Sequence, residues 1–170
     1  MTTLYHVSNG QLVPVPPATD VAESRIEDWI FENPKMVHLD VLPIGRQVRT
    51  DYGGEIDILG IDIDGNLVII ELKRNRTPRD VTAQIIDYAS WVVTLTPRRI
   101  HEITFSKLGR RLDELFRDRF GIAPPEVLNS SHRMVIVASE FDASSKRIVE
   151  YLAEHHGLDI NAAFFRMFEH

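Results

Sequence analysis

The most ordered pattern in the chain lies between Glu55 and Lys73, where two apolar runs, EIDILGIDI and NLVIIELK, flank Asp64-Gly65. Their alternation predicts strands over Ile56–Ile63 and Leu67–Lys73. Another strand is expected upstream at Gln47–Asp51. Ile26, Trp29 and Ile30 recur at the spacing of a buried helical stripe, so a helix capped by Thr19 or Asp20 should run to Asn33, where Pro34 stops it. Thr77 as cap, Pro78 at the first helical position and Asp80 in the first turn announce a second helix reaching Val93. On it Ile85, Ile86, Ala89, Val92 and Val93 are apolar, while Gln84 and Tyr88, four apart, share a face with Asp80 and Trp91. Leu108–Phe120, closed by Gly121, reads as a third helix. Met134–Ala138 is a buried strand, Ser144–His155 a helix and Ile160–Phe168 a last strand. The proline-rich VPVPPATD makes residues 1–19 an extended lead-in to one domain over 20–170. This order predicts an α/β fold, a mixed sheet flanked by helices. The chain stops on strand-like FFRMF, the pattern of a truncated sequence.

The hairpin is unusual because Asp57, Glu71 and Lys73 interrupt its apolar runs. Whether they share a face depends on the turn. A two-residue turn at Asp64-Gly65 pairs Ile63 with Asn66 and sends Asp57 and Glu71 to opposite sides of the sheet. A three-residue loop, Ile63-Asp64-Gly65, has a type I turn followed by a left-handed glycine, and it pairs Asp57 with Glu71 and Glu55 with Lys73. Asp62 and Gly65 are the residues that this second turn favours. Two directly opposed carboxylates repel and need something positive between them. A divalent cation with oxygen ligands meets that need, and Lys73 adds a charge within reach of a phosphate or an attacking water. The bland alternative is a two-faced hairpin whose polar face is wet, with Glu55 and Lys73 an ordinary cross-strand pair.

Other chemistry is narrowed by composition. The chain has 170 residues, no cysteine and a formal charge of −6. Disulfides, thiolate zinc sites and a cysteine nucleophile are excluded, so a metal must be held by oxygen or imidazole. No run approaches the roughly 18 apolar residues of a membrane span and no signal segment opens the chain, so a cytoplasmic protein with no membrane partner is expected. Asp62–Asn66 is not a calcium loop, because Leu67 and Lys73 stand where such a loop needs glycine and glutamate. His155-His156 lacks ligand partners at metal spacing. Charge is uneven: residues 73–119 carry eleven basic and six acidic side chains. Arg74, Arg76 and Arg79, with Arg98, Arg99, Lys107, Arg110 and Arg111 further on, could track a nucleic-acid backbone.

Asp57, then Glu71-Leu72-Lys73 on the next strand, then Gln84 and Tyr88 on the following helix together resemble the PD-(D/E)XK nuclease superfamily. The pattern is most similar to its RecB-like and NucS-type endonuclease branch. The resemblance runs from about Glu23 to the C-terminal strand. It implies a restriction-endonuclease-like fold, with Mg²⁺ (or Mn²⁺) held by Asp57, Glu71 and the backbone carbonyl of Leu72, and with Lys73 orienting or activating water. It also implies a glutamate on the preceding helix, Glu27 or alternatively Glu23, that completes the site. Ile56 stands where the motif's name has proline, and no separate DNA-binding module precedes the first helix. The expected function is metal-dependent hydrolysis of DNA phosphodiesters, in repair, by a chain that is a candidate homodimer. The alternatives are a catalytically silent nucleic-acid-binding module of the same fold and a purely structural protein; a junction resolvase or restriction-type enzyme also fits.

Overall fold

A computed structural model describes residues 4–18, 21–77 and 80–169, with the side chains of 75–77 outside the description. Two strands, β1 (Leu4–Ser8) and β2 (Gln11–Val15), form an antiparallel hairpin within the segment expected to be an extended lead-in. Helix α1 (Glu23–Glu32) and a 3-10 turn (Pro34–Val37) follow. Strands β3 (Leu42–Arg49), β4 (Glu55–Ile61) and β5 (Leu67–Thr77) come next. Helices α2 (Asp80–Val92), α3 (Pro97–Leu108) and α4 (Leu112–Phe120) lead to β6 (His132–Phe141), α5 (Ala143–His156) and β7 (Ile160–Phe164). The main sheet has the order β3-β4-β5-β6-β7. Its first three strands form an antiparallel meander, and β6 and β7 join in parallel through helical crossovers. The expected mixed sheet flanked by helices is therefore present.

Alternation along β4 and β5 builds a layer on each side. Leu59, Ile61, Leu67 and Ile69 meet Val81, Ile85, Ala89 and Val92 of α2 and the packed faces of α3, α4 and α5. Ile58, Val68, Ile70 and Leu72 meet Ile26 and Ile30 of α1 on the other side. Both layers are fully desolvated at the sheet, where each buried Leu or Ile contributes about 1.5–3 kcal/mol of transfer free energy.

The β4–β5 register is the one that the three-residue loop requires. Ile61 pairs with Leu67, Leu59 with Ile69 and Ile58 with Ile70. Asp62 N–H donates to the Asn66 carbonyl, Gly65 N–H to the Asp62 carbonyl, and the Asp62 carboxylate accepts from the N–H groups of Asp64 and Asn66. Gly65 has φ +80°, as the bulged turn demands.

Several boundaries differ from expectation. The strand expected at Gln47–Asp51 is Leu42–Arg49, because its pairing with β4 extends back to Leu42. Pro97–Leu108 is a complete helix that the apolar pattern did not announce, capped by the Thr96 hydroxyl, which accepts from Arg99 N–H. The helix expected over Leu108–Phe120 divides at Gly109 (φ +65°) into the end of α3 and α4. The last strand stops at Phe164, and Phe168 instead bridges Pro17. Helix α1 begins after Ala22 with no side-chain cap. The helix-start residues expected at Thr19, Asp20 and Pro78 lie outside the described residues, as does the side chain of Thr77, whose backbone ends β5.

Candidate active site

Glu71 and Lys73 continue the row of Leu67 and Ile69 along β5 and face α2, and Asp57 lies beside them on β4, where Ile56 and Leu59 share one core layer and break the strict alternation. Leu72 N–H donates to Asp57 Oδ2 at 2.8 Å, locking the two strands beyond their last regular pair. Lys73 Nζ donates to Glu71 Oε1 at 2.8 Å. Glu71 is 1% exposed, and its Oε2 is buried with no hydrogen-bond partner. A buried carboxylate oxygen left alone costs free energy comparable to a lost hydrogen bond, so its persistence beside a second acid calls for a positive group.

The electrostatics follow from that crowding. Burial, then the charge of Asp57, push the Glu71 carboxyl up to about 7 despite the Lys73 ammonium. Burial likewise raises Asp57, opposed by the Leu72 N–H and Lys73 and reinforced by Glu27 and Glu23. Burial alone would lower Lys73, but its bond to Glu71 and the charges of Glu71, Asp57 and Glu23 leave it above its ordinary value. The ammonium is therefore fixed in its charged form.

Helix α2 closes the site from above. Gln84 Nε2 donates to the Tyr88 hydroxyl at 2.7 Å. That hydroxyl also accepts from the Glu55 backbone and lies within the fields of Glu71 and Asp57, and burial raises its pKa. The ring packs on Gly54 so closely that a Cβ there would lie 2.5 Å from Tyr88 Cε1.

Glu27 and Glu23 reach the same end of the sheet from α1. The Glu23 carboxylate accepts from Arg74 N–H at 2.7 Å, directly after Lys73. Glu27 is buried, and its two oxygens accept from Arg46 Nε at 3.0 Å and Gln47 Nε2 at 2.9 Å. Among the described residues, no three acidic or histidine side chains gather closely enough to hold an ion by themselves. Asp57 and Glu71 nevertheless suit a hard divalent cation, since magnesium commonly takes only one or two carboxylates and completes its shell with carbonyls, water and phosphate. The orphaned Glu71 oxygen is the vacancy in hydrogen bonding that such an ion would satisfy.

Asp57, Glu71, Lys73, Gln84 and Tyr88 are thus brought together, with the Leu72 backbone between the acids. The basic residues are more dispersed. Arg98 and Arg99 pair with Glu102, Arg110 with Asp118 and Arg111 with Asp113, all exposed. Lys107 donates to a backbone carbonyl of β3. The side chains of Arg76 and Arg79 lie outside the described residues; Arg74 stands beside the site through its backbone. Gln47, which sequence reasoning placed only at the start of a strand, sits opposite Asp57 in the β3–β4 register. Its local signal was only that position, one residue after Arg46.

Comparison with known proteins bears on this arrangement. Residues 22–94 match the family of the endonuclease NucS C-terminal domain. Over 67 residues the chain is 34% identical to endonuclease NucS of Pyrococcus abyssi, covering 39% of this chain and 26% of the relative. Over 85 residues it is 31% identical to endonuclease NucS of Sulfolobus acidocaldarius, covering 50% and 34%. The chain thus spans about a quarter to a third of the length of these curated relatives. A crystal structure of a repair endonuclease from Pyrococcus abyssi superposes with a TM-score of 0.52 at 21% identity, over 87% of this chain and 48% of the other. An EndoMS–dsDNA complex gives 0.51 at 23% identity, over 90% and 50%. These structures share the fold, and the resemblance drawn from Asp57, Glu71, Lys73, Gln84 and Tyr88 falls within the matched segment.

Proposed function

We propose that this chain, which carries a segment matching the NucS C-terminal domain, is a metal-dependent DNA endonuclease, with Asp57 and Glu71 holding Mg²⁺ or Mn²⁺ together with the Leu72 carbonyl. The observation that carries the reading is the Asp57–Glu71 pair, Asp57 half-buried and Glu71 buried with one carboxylate oxygen unpartnered beside a fixed ammonium. When bound, the ion supplies charge neutralisation at a phosphodiester and a more acidic water. Lys73 keeps its proton and stabilises the negative charge that develops on the phosphate oxygens. Tyr88 and Gln84 hold the polar wall above the acids and orient phosphate. The relatives' name, endonuclease, and the dsDNA complex support DNA as the substrate, and the one solved structure described as a repair endonuclease supports a repair role. Arg74, Arg76 and Arg79, following Lys73 in the chain, are the residues proposed to hold the strand.

A second reading, a DNA-binding module of this fold without turnover, is favoured by one observation: no third acidic side chain joins Asp57 and Glu71 closely among the described residues. Incubating supercoiled plasmid and mismatched or branched duplexes with Mg²⁺ or Mn²⁺ separates the two. The nuclease reading expects cleavage that Lys73→Ala lowers by about 100-fold or more, with DNA binding and folding retained. Binding of DNA with no response to metal would support the module, and a Lys73→Ala variant with full turnover would refute the role given to that side chain.

A further inference from the structure

One irregular backbone position in the sheet, Gln47, lies opposite the β4 segment that carries Asp57. Successive residues of a strand point to opposite faces. Arg46, paired with Ile58, faces α1. Gln47 should therefore turn away from α1, yet its amide reaches the same Glu27 carboxylate that Arg46 holds. The backbone makes this happen: Gln47 has φ +47°, in the left-handed region that residues other than glycine rarely enter. The turned peptide presents its carbonyl to α3, where Lys107 Nζ donates to it at 2.6 Å. Arg46 is itself anchored, its Nη1 donating to Asp28 at 2.6 Å. Backbone strain is thus maintained at Gln47 in an edge strand, between the pairs Arg46–Ile58 and Val48–Ile56, to place one amide. Glu27, so clamped, lies one helical turn after Glu23, whose carboxylate accepts from Arg74 N–H directly after Lys73.

We propose that Gln47 is a positioning residue for the metal site: its left-handed backbone, held by Lys107, aims the amide that fixes Glu27 on the α1 flank of the Asp57–Glu71 pair. The inference rests on the nuclease reading and deepens it. Arg46 supplies the charge that pairs with Glu27, and Gln47 supplies direction. A merely structural Gln47 makes the opposite prediction for glycine, which relieves the strain and deletes only the amide.

The test uses the whole chain and three readouts: thermal unfolding, Mn²⁺ affinity by calorimetry, and metal-saturated cleavage of duplex DNA. Gln47→Gly is expected to melt at or above the wild-type temperature while losing about tenfold in Mn²⁺ affinity or cleavage rate, the scale for groups that orient metal sites. In a Glu27→Gln background the same change should add less than about twofold, because the residue it acts through is gone. Unchanged affinity and rate in Gln47→Gly would overturn the proposal, as would an equal loss with and without Glu27. If Gln47→Gly does not fold, Lys107→Met, which keeps the amide but frees the backbone, gives the same reading through the same measurements. Wild-type protein that neither binds Mn²⁺ nor cleaves would remove the nuclease reading and this inference with it; wild-type activity with an indifferent Gln47 removes this inference alone.

Discussion

Replacing Glu71 by glutamine should stabilise the metal-free protein in alkaline but not in acidic solution. In the folded chain the carboxyl titrates at about 7, against 4.5 when unperturbed. Between those values the unfolded chain has released a proton that the folded chain keeps, so folding stability falls as pH rises through the window and stays low above it. At about 1.36 kcal/mol per pKa unit, the gap corresponds to about 3 kcal/mol. Glu71 is 1% exposed, so solvent screening does little to reduce this. Glutamine is isosteric, does not titrate and can donate to Asp57, which removes both the repulsion and the orphaned acceptor. Urea unfolding in EDTA at pH 5 and pH 8 measures the effect. The stability difference between Glu71→Gln and wild type should move by about 2–3 kcal/mol in favour of the variant across that range. Adding Mn²⁺ at pH 8 should restore the wild type alone, by about 2.7 kcal/mol at one hundred times the dissociation constant. Parallel pH curves for the two proteins would show that Glu71 is not under the strain described, and the case for a cation between the acids would lose its physical basis.

Two glycines give sharper structural tests. Gly54→Ala places a methyl 2.5 Å from the Tyr88 ring. The ring must shift, at a cost of about 1–3 kcal/mol, and plasmid cleavage should fall while duplex binding persists; unaffected cleavage would show that Tyr88 does not form the wall of the site. Gly65→Ala forces a left-handed alanine against Pro125 and Leu128, 2.7 and 3.0 Å away. It should cost about 2 kcal/mol or more and lower the melting temperature by several degrees, whereas an unchanged melt would contradict the turn that sets the Asp57–Glu71 register.

That register was legible in the sequence because side-chain alternation and turn chemistry constrain each other: once Asp62 and Gly65 fix a three-residue loop, the facing of Asp57 and Glu71 follows. The α2 pair Gln84 and Tyr88 was legible for a similar reason, helical spacing. Helix α3 was hidden because its apolar stripe, Ile100 and Ile103, is short and surrounded by charge, although Thr96-Pro97 is itself a helix-start signal. The β1–β2 hairpin was masked by prolines, which sit on an edge where their missing N–H groups do no harm. Gln47 could not have been found locally, since its role arises from contacts to Glu27 twenty residues before it and Lys107 sixty residues after it. The helix arginines differ: Arg98 and Arg99 pair with Glu102 one turn on and Arg111 with Asp113 two residues on, so their partners follow from local spacing once α3 and α4 are recognised.

Asp57 and Glu71 facing each other is worth a function only if a cation belongs between them. Calorimetric titration of the wild-type chain with Mn²⁺, beside Asp57→Asn, tests that directly. The account predicts a saturable heat for one site per chain that the substitution abolishes while the fold is retained. A wild type that gives no heat, or a variant that binds Mn²⁺ as well as the wild type does, would contradict it.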